Sequence, residues 1–157
     1  MKTSKIVLSA LAVALGGAVS APAWSQMTEG HAMVKPPELK WTDTPLVKGA
    51  KVAVIEGPLD QAVPFTFRFK LPANAKIPAH WHTSIEHVTV LSGTFNVGMG
   101  DKLDQKKTKP LPVGSVAIMQ PKTAHFAWTD KETILQVHGV GPWTVNFVNP
   151  ADDPRKK

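Results

Sequence analysis

From Val47 onward the chain is built of short apolar runs separated by turn residues. Phe65, Phe67, Phe69 and Leu71 alternate with Thr66, Arg68 and Lys70. That period of two predicts a strand with one face in a core. Lys51 to Glu56, Glu86 to Leu91, Thr94 to Met99, Ser115 to Met119, Ala124 to Trp128, Thr133 to Val140 and Trp143 to Val148 read as further strands. Ser92-Gly93 is the turn between two of them, while Pro72 to Pro78 and the charged stretch Gly100 to Pro112 read as loops. No segment after residue 25 carries a helical period. Eight or nine short strands within about 100 residues predict an all-β sandwich or barrel of one domain.

The ends of the chain read differently. Lys2 and Lys5 precede an apolar run, Ile6 to Val19, and small residues follow at Ala21, Ala23 and Ser25. Basic start, short apolar stretch and small-residue exit are the order of a secretory signal peptide. A run of that length is too short to span a membrane, which takes about 20 apolar residues. The predicted organisation is a signal peptide over 1–25, an arm over 26–47 containing Pro36, Pro37 and Pro45, a barrel over 48–149, and a tail over 150–157. Cleavage after Ser25 is expected, with Ala23 the alternative.

Composition narrows the chemistry. The chain has no Cys and no Tyr. A disulfide framework, a thiolate metal site, a cysteine nucleophile and a tyrosine acid or base are all excluded. Export without disulfides points to a bacterial periplasm, with full secretion the alternative. The formal charge of +6 falls to +4 without Lys2 and Lys5. The remaining excess sits in the Arg155–Lys157 tail and around Lys102, Lys106, Lys107 and Lys109. With no aromatic residues interleaved, these clusters read as solvated loops and not as a nucleic-acid surface. After cleavage no membrane contact is expected, and the sequence allows a homodimer.

Six histidines remain to be placed. His80 and His82 are two apart on an extended segment, so both imidazoles face the same space and Trp81 faces away. Glu86 opens the next strand and shares its face with Val88 and Val90. A carboxylate on an apolar inward face is costly unless it is paired or bound to a cation. His125 begins a later strand, just after a loop. Three imidazoles and one carboxylate suit a single divalent ion such as Fe, Mn, Ni, Cu, Co or Zn. Each residue alone is weak evidence, since exposed His-x-His pairs and satisfied interior histidines are common. Their joint spacing carries the reading. His87 is out of phase with Glu86 and reads as a non-ligand; His31 lies in the arm.

That spacing resembles the first motif of the cupins: Gly, five residues, His-x-His, three or four residues, Glu, six residues, Gly. His80, His82, Glu86 and Gly93 fall in register, and Asn74 stands at the opening Gly. The second motif reads Gly, five residues, Pro-x-Gly-x-x-His, three residues, Asn. Gly114 and His125 match it, whereas Pro121 is displaced by one residue, Lys122 stands at the inner Gly and Thr129 at the final Asn. The resemblance covers about residues 48 to 149. It implies a double-stranded β-helix, or jelly-roll barrel, with the ion held inside by His80, His82, Glu86 and His125.

The resemblance implies no substrate, because cupins include dioxygenases, isomerases, storage proteins and sugar-binding domains. Two functions are therefore expected. One is a metal-dependent enzyme on a small molecule, dioxygenase-like or an isomerase or lyase. The other is a non-catalytic binding or sensing module. Ile134, Gln136 and His138 share one face of the Thr133 to Val140 strand. Facing the lumen, Gln136 and His138 are candidate catalytic residues beside the ion. In the competing arrangement Leu135 and Val137 line the barrel and His138 lies outside.

Overall fold

The computed structural model describes residues 31–156. The predicted signal peptide and the first residues of the arm lie outside them. Eleven strands follow in chain order: β1 (Thr42–Asp43), β2 (Lys51–Glu56), β3 (Pro64–Leu71), β4 (Lys76–Trp81), β5 (Glu86–Ser92), β6 (Thr94–Met99), β7 (Lys109–Pro112), β8 (Val116–Met119), β9 (His125–Trp128), β10 (Thr133–Val140) and β11 (Asn146–Phe147). The helical segments among the described residues are short 3₁₀ turns.

The strands form two antiparallel sheets. One has the order β1-β2-β3-β10-β5-β8 and the other β11-β4-β9-β6-β7. Together they make an all-β barrel, as the alternating patterns predict, in the jelly-roll arrangement that the cupin resemblance implies. Its core draws on the inward faces of both sheets: Phe65, Phe67 and Leu71 of β3, Val88 and Val90 of β5, Leu135 and Val137 of β10, and Ile77, Phe95 and Ala127 from the facing sheet.

Four expectations need correction. Pro72 to Pro78 is not all loop, because β4 starts at Lys76 and buries Ile77 and Ala79. Its Pro78 falls within the irregularity of the β4–β9 ladder between Ile77 and His80. A bulge is where a residue without an N–H does least harm to a sheet. Gly100 to Pro112 likewise ends in a strand. β7 carries Pro110 and Pro112 but lies at the edge of its sheet, where missing donors face no neighbour. The expected strand over Trp143 to Val148 contracts to β11, with the segment before it irregular. Finally, the arm is not separate from the barrel throughout. β1 pairs with β2, and Val47 joins the core.

Backbone conformation explains the departures from the cupin motifs. Asn74 and Lys122, which stand where the motifs have glycine, take φ of 60° and 61°. The left-handed turns are thus kept by non-glycine residues, at a cost on the order of 1–2 kcal/mol each that Asn lessens through local hydrogen bonding. Thr129, at the final Asn position, is fully buried and closes the loop before β4. Its hydroxyl donates to the Pro72 carbonyl at 2.8 Å, and its N–H donates to the Ala75 carbonyl at 3.0 Å.

Candidate metal centre

The end of β4, the start of β5 and the start of β9 converge at one place inside the barrel. β4 delivers His80, and His82 follows one residue past the strand. β5 delivers Glu86 and β9 delivers His125. All four residues are buried, with 2–6% of their surface exposed. The ligand atoms of His80, His82 and His125 all lie within 4.8 Å of one another. This group could hold a metal ion. Glu86 stands beside it, with Oε2 3.3 Å from His82 Nε2 and 4.0 Å from His125 Nε2.

Each imidazole is fixed by a backbone carbonyl on its outer nitrogen. His80 Nδ1 donates to Pro78 O at 2.8 Å, His82 Nδ1 to Thr144 O at 2.8 Å, and His125 Nδ1 to Thr123 O at 3.0 Å. A neutral imidazole that donates from Nδ1 has its lone pair on Nε2. All three rings are therefore set in the tautomer that offers Nε2 as a ligand, the arrangement that orients metal-bound histidines. His82 Nε2 is buried with no hydrogen-bond partner, although a carboxylate oxygen is 3.3 Å away. A lone pair and a carboxylate oxygen at that separation repel unless something positive lies between them. This orphaned acceptor fits a bound cation, and the nitrogen and oxygen donor set suits a divalent transition ion.

Burial favours the neutral form of His80 and His125. Burial, then the neighbouring His125 and His82, lower the pKa of His80 from 6.5 to about 3. Burial also lowers that of His125. The folded state thus refuses protons that the unfolded chain accepts below pH 6.5, so stability falls as pH drops from 6.5 toward 3. At about 1.4 kcal/mol per pH unit, His80 alone should cost the metal-free protein about 2 kcal/mol between pH 7.5 and pH 5. His125 adds a loss of the same sign. Urea unfolding of metal-stripped protein at the two pH values measures it; equal midpoints would show that His80 and His125 are not buried as described.

A cavity opens onto the cluster, with about 560 Å³ of empty space when the open solvent at its mouth is counted. Both sheets contribute to its wall, with Leu46 and Val47 from the arm and Trp143, Val145 and Phe147 from the C-terminal segment. The last three repeat every second residue, a period visible in the sequence. Trp143 is the site residue that sequence reasoning missed. Its ring stacks on His82 with centroids 4.8 Å apart and planes 17° from parallel. With the neighbouring Thr144 carbonyl on Nδ1, it holds that imidazole from two sides.

The structure corrects the expectation for His138 and Gln136. Leu135 and Val137 are buried and line the cavity, whereas His138 is exposed and Gln136 half-buried on the opposite face of β10. His138 lies across from His87 in the ladder, and the two rings stack 4.9 Å apart on the outside of the sheet. Gln136 accepts from Arg68 Nε at 3.4 Å on that same face. The physical reason is the register. Leu135 sits between Phe69 and Val90, and Val137 between Phe67 and Val88, so the apolar set of β10 continues the apolar faces of both neighbours.

A two-sheet jelly roll with converging imidazoles at the ends of its strands defines a cupin. The chain matches the ChrR cupin-like domain over residues 29–142 and belongs to that family. No curated protein matches it. Among solved structures it is similar to the polyketide cyclase RemF from Streptomyces resistomycificus, at 19% identity and a TM-score of 0.65, covering 81% of this chain and 92% of that one. It is also similar to an acetylacetone dioxygenase from Acinetobacter johnsonii, at 12% identity and a TM-score of 0.59, covering 80% and 82%. A chain of the complex between Rhodobacter sphaeroides SigE and the anti-sigma ChrR matches at 17% identity and a TM-score of 0.51, covering 66% of this chain and 50% of that one. At such identities the likeness is one of fold.

Proposed function

We propose that the protein is an exported, metal-dependent enzyme acting on a small molecule, with one divalent transition ion held by His80, His82, Glu86 and His125. The observation that carries the reading is the unpartnered His82 Nε2 facing the Glu86 carboxylate, with all three Nδ1 atoms tied back to carbonyls. An ion bound there supplies Lewis acidity and, where it is redox-active, electron transfer. The chain's own residues do the rest. The carbonyls of Pro78, Thr123 and Thr144 set the rings, Trp143 braces His82, and the apolar wall excludes water. Glu86 is the one carboxylate in the cavity wall among the described residues, and the reading uses it as a ligand. With Gln136 and His138 outside, the wall offers no separate acid–base pair. This favours dioxygenase-like chemistry over an isomerase or lyase, whose proton transfers would need such a pair.

A second reading is a non-catalytic sensing module, favoured by membership of the family described by ChrR and by the match to a complex with SigE. Export rests on the order of basic, apolar and small residues in 1–25. One preparation tests these readings. Protein isolated from the periplasm is expected to have an intact mass starting at Gln26 or Trp24 and to contain one transition ion per chain. Oxygen uptake with a panel of small substrates then separates enzyme from module. A full-length chain retained in the membrane would overturn export, and a metal-free chain that takes up no added ion would overturn the metal centre.

A further inference from the structure

The cavity wall specifies more than the presence of an ion. Apart from His80, His82, Glu86 and His125, every residue lining it is aliphatic, aromatic or methionine, and the one further polar side-chain donor is the Trp143 Nε1–H, buried without a partner among the described residues. No Lys, Arg, Ser, Thr, Asn or Gln takes part among the described residues. The nearby guanidinium groups are engaged elsewhere. Arg155 lies 5.8 Å from the centroid of the Phe147 ring, but it donates to both carboxylate oxygens of Asp153, at 2.7 and 2.8 Å, and to the Val145 carbonyl. Arg68 is committed to Gln136 on the outer face.

Two constraints on a ligand follow. Hydroxyl-rich molecules would lose their water and find one side-chain donor beyond the metal ligands, the Trp143 N–H, which disfavours sugars, and a phosphate would meet no cation from the chain. The second constraint is charge. A divalent ion beside the Glu86 carboxylate leaves one net positive charge in a low-dielectric space. A singly anionic donor balances it, whereas a neutral donor leaves the positive charge and a dianion leaves an unpaired negative charge, each of which burial penalises.

We infer that the cavity takes a small molecule with an apolar body and a single oxygen-donor end that is singly anionic when bound, such as an enolate or phenolate. This rests on the metal centre proposed above, and the test keeps the two apart. The protein is loaded with Zn²⁺, which binds ligands without redox turnover, and its Zn²⁺ content is measured by elemental analysis. Calorimetry then compares three two-oxygen chelators: benzoylacetone, acetylacetone and malonate. Each affinity is referred to that chelator's affinity for aqueous Zn²⁺ at the same pH.

The first two differ only in the apolar body, and malonate replaces a singly charged end with a doubly charged one. Benzoylacetone is expected to bind at least fivefold more tightly than acetylacetone, since burying a phenyl ring is worth about tenfold or more. Malonate is expected to be the weakest of the three. With one Zn²⁺ per chain, a smaller preference for benzoylacetone, or malonate equal to acetylacetone, overturns the inference and leaves the metal centre standing. A chain that takes up no Zn²⁺ overturns both.

Discussion

Replacing His125 with Ala is expected to abolish stoichiometric metal binding, lowering affinity by more than about 100-fold. The comparison that sets the scale is the loss of an outer partner of a metal ligand, which typically costs about 10–100-fold; removing a ligand atom costs more. His80→Ala and His82→Ala should behave alike, because the ligand atoms of the three rings lie within 4.8 Å of one another. Glu86→Gln should weaken binding less, because the amide oxygen keeps a donor there while the charge is lost. His87→Ala and His138→Ala are the controls. Both rings lie on the outer face of the β5–β10 ladder and should leave metal content at one per chain. Elemental analysis after dialysis gives the content. A thermal melt with and without added ion gives an independent reading, since a ligand that binds only the folded state raises its stability. If His87→Ala emptied the site while His125→Ala did not, the ligand assignment would be wrong.

The positions behind that prediction were legible because spacing and chemistry agree there. Two histidines flanking a single residue on an extended segment must face the same way, and a carboxylate in phase with Val88 and Val90 must point inward. His138 was misplaced for a related reason. Alternation divides β10 into Leu135 with Val137 and Gln136 with His138, but it does not say which set is inside. Hydrophobic burial alone favours the apolar set, and the cross-strand partners Phe67, Phe69, Val88 and Val90 carry the same message. Giving the polar set a catalytic role ran against the stronger force. Pro78, Pro110 and Pro112 hid strand character for the opposite reason. Local sequence marks them as breaks, and only the tertiary placement at a bulge or a sheet edge makes them harmless. Trp143 stayed invisible because its role depends on a ring 61 positions away in the chain.

The closing glycine of the first motif carries the largest expected effect on stability. Gly93 turns β5 into β6 with φ of +79°. A Cβ built there would lie 2.4 Å from Thr133 Oγ1, 2.6 Å from the Glu132 carbonyl oxygen and 2.9 Å from Thr133 Cα. Two of those neighbours are backbone and cannot swing away. Thr133 itself is fully buried, its hydroxyl accepting from the Thr94 N–H and placed to donate to the Thr94 or Lys131 carbonyl. The turn is therefore pressed against the start of β10, the strand that lies between β3 and β5. Gly114 supplies the comparison, with φ of +86° and nothing within 4 Å of a Cβ. Gly114→Ala should cost only the left-handed backbone, on the order of 1–2 kcal/mol. Gly93→Ala should cost at least twice as much, about 3–5 kcal/mol, because the same backbone term is joined by displaced main chain and weakened Thr133 hydrogen bonds. Against a total stability of about 5–15 kcal/mol, that is enough to lower the yield of folded protein. Chemical unfolding of both variants, metal-stripped and at one pH, isolates the contact from the conformation. Equal losses would mean that the β5–β6 turn does not pack against β10 as described.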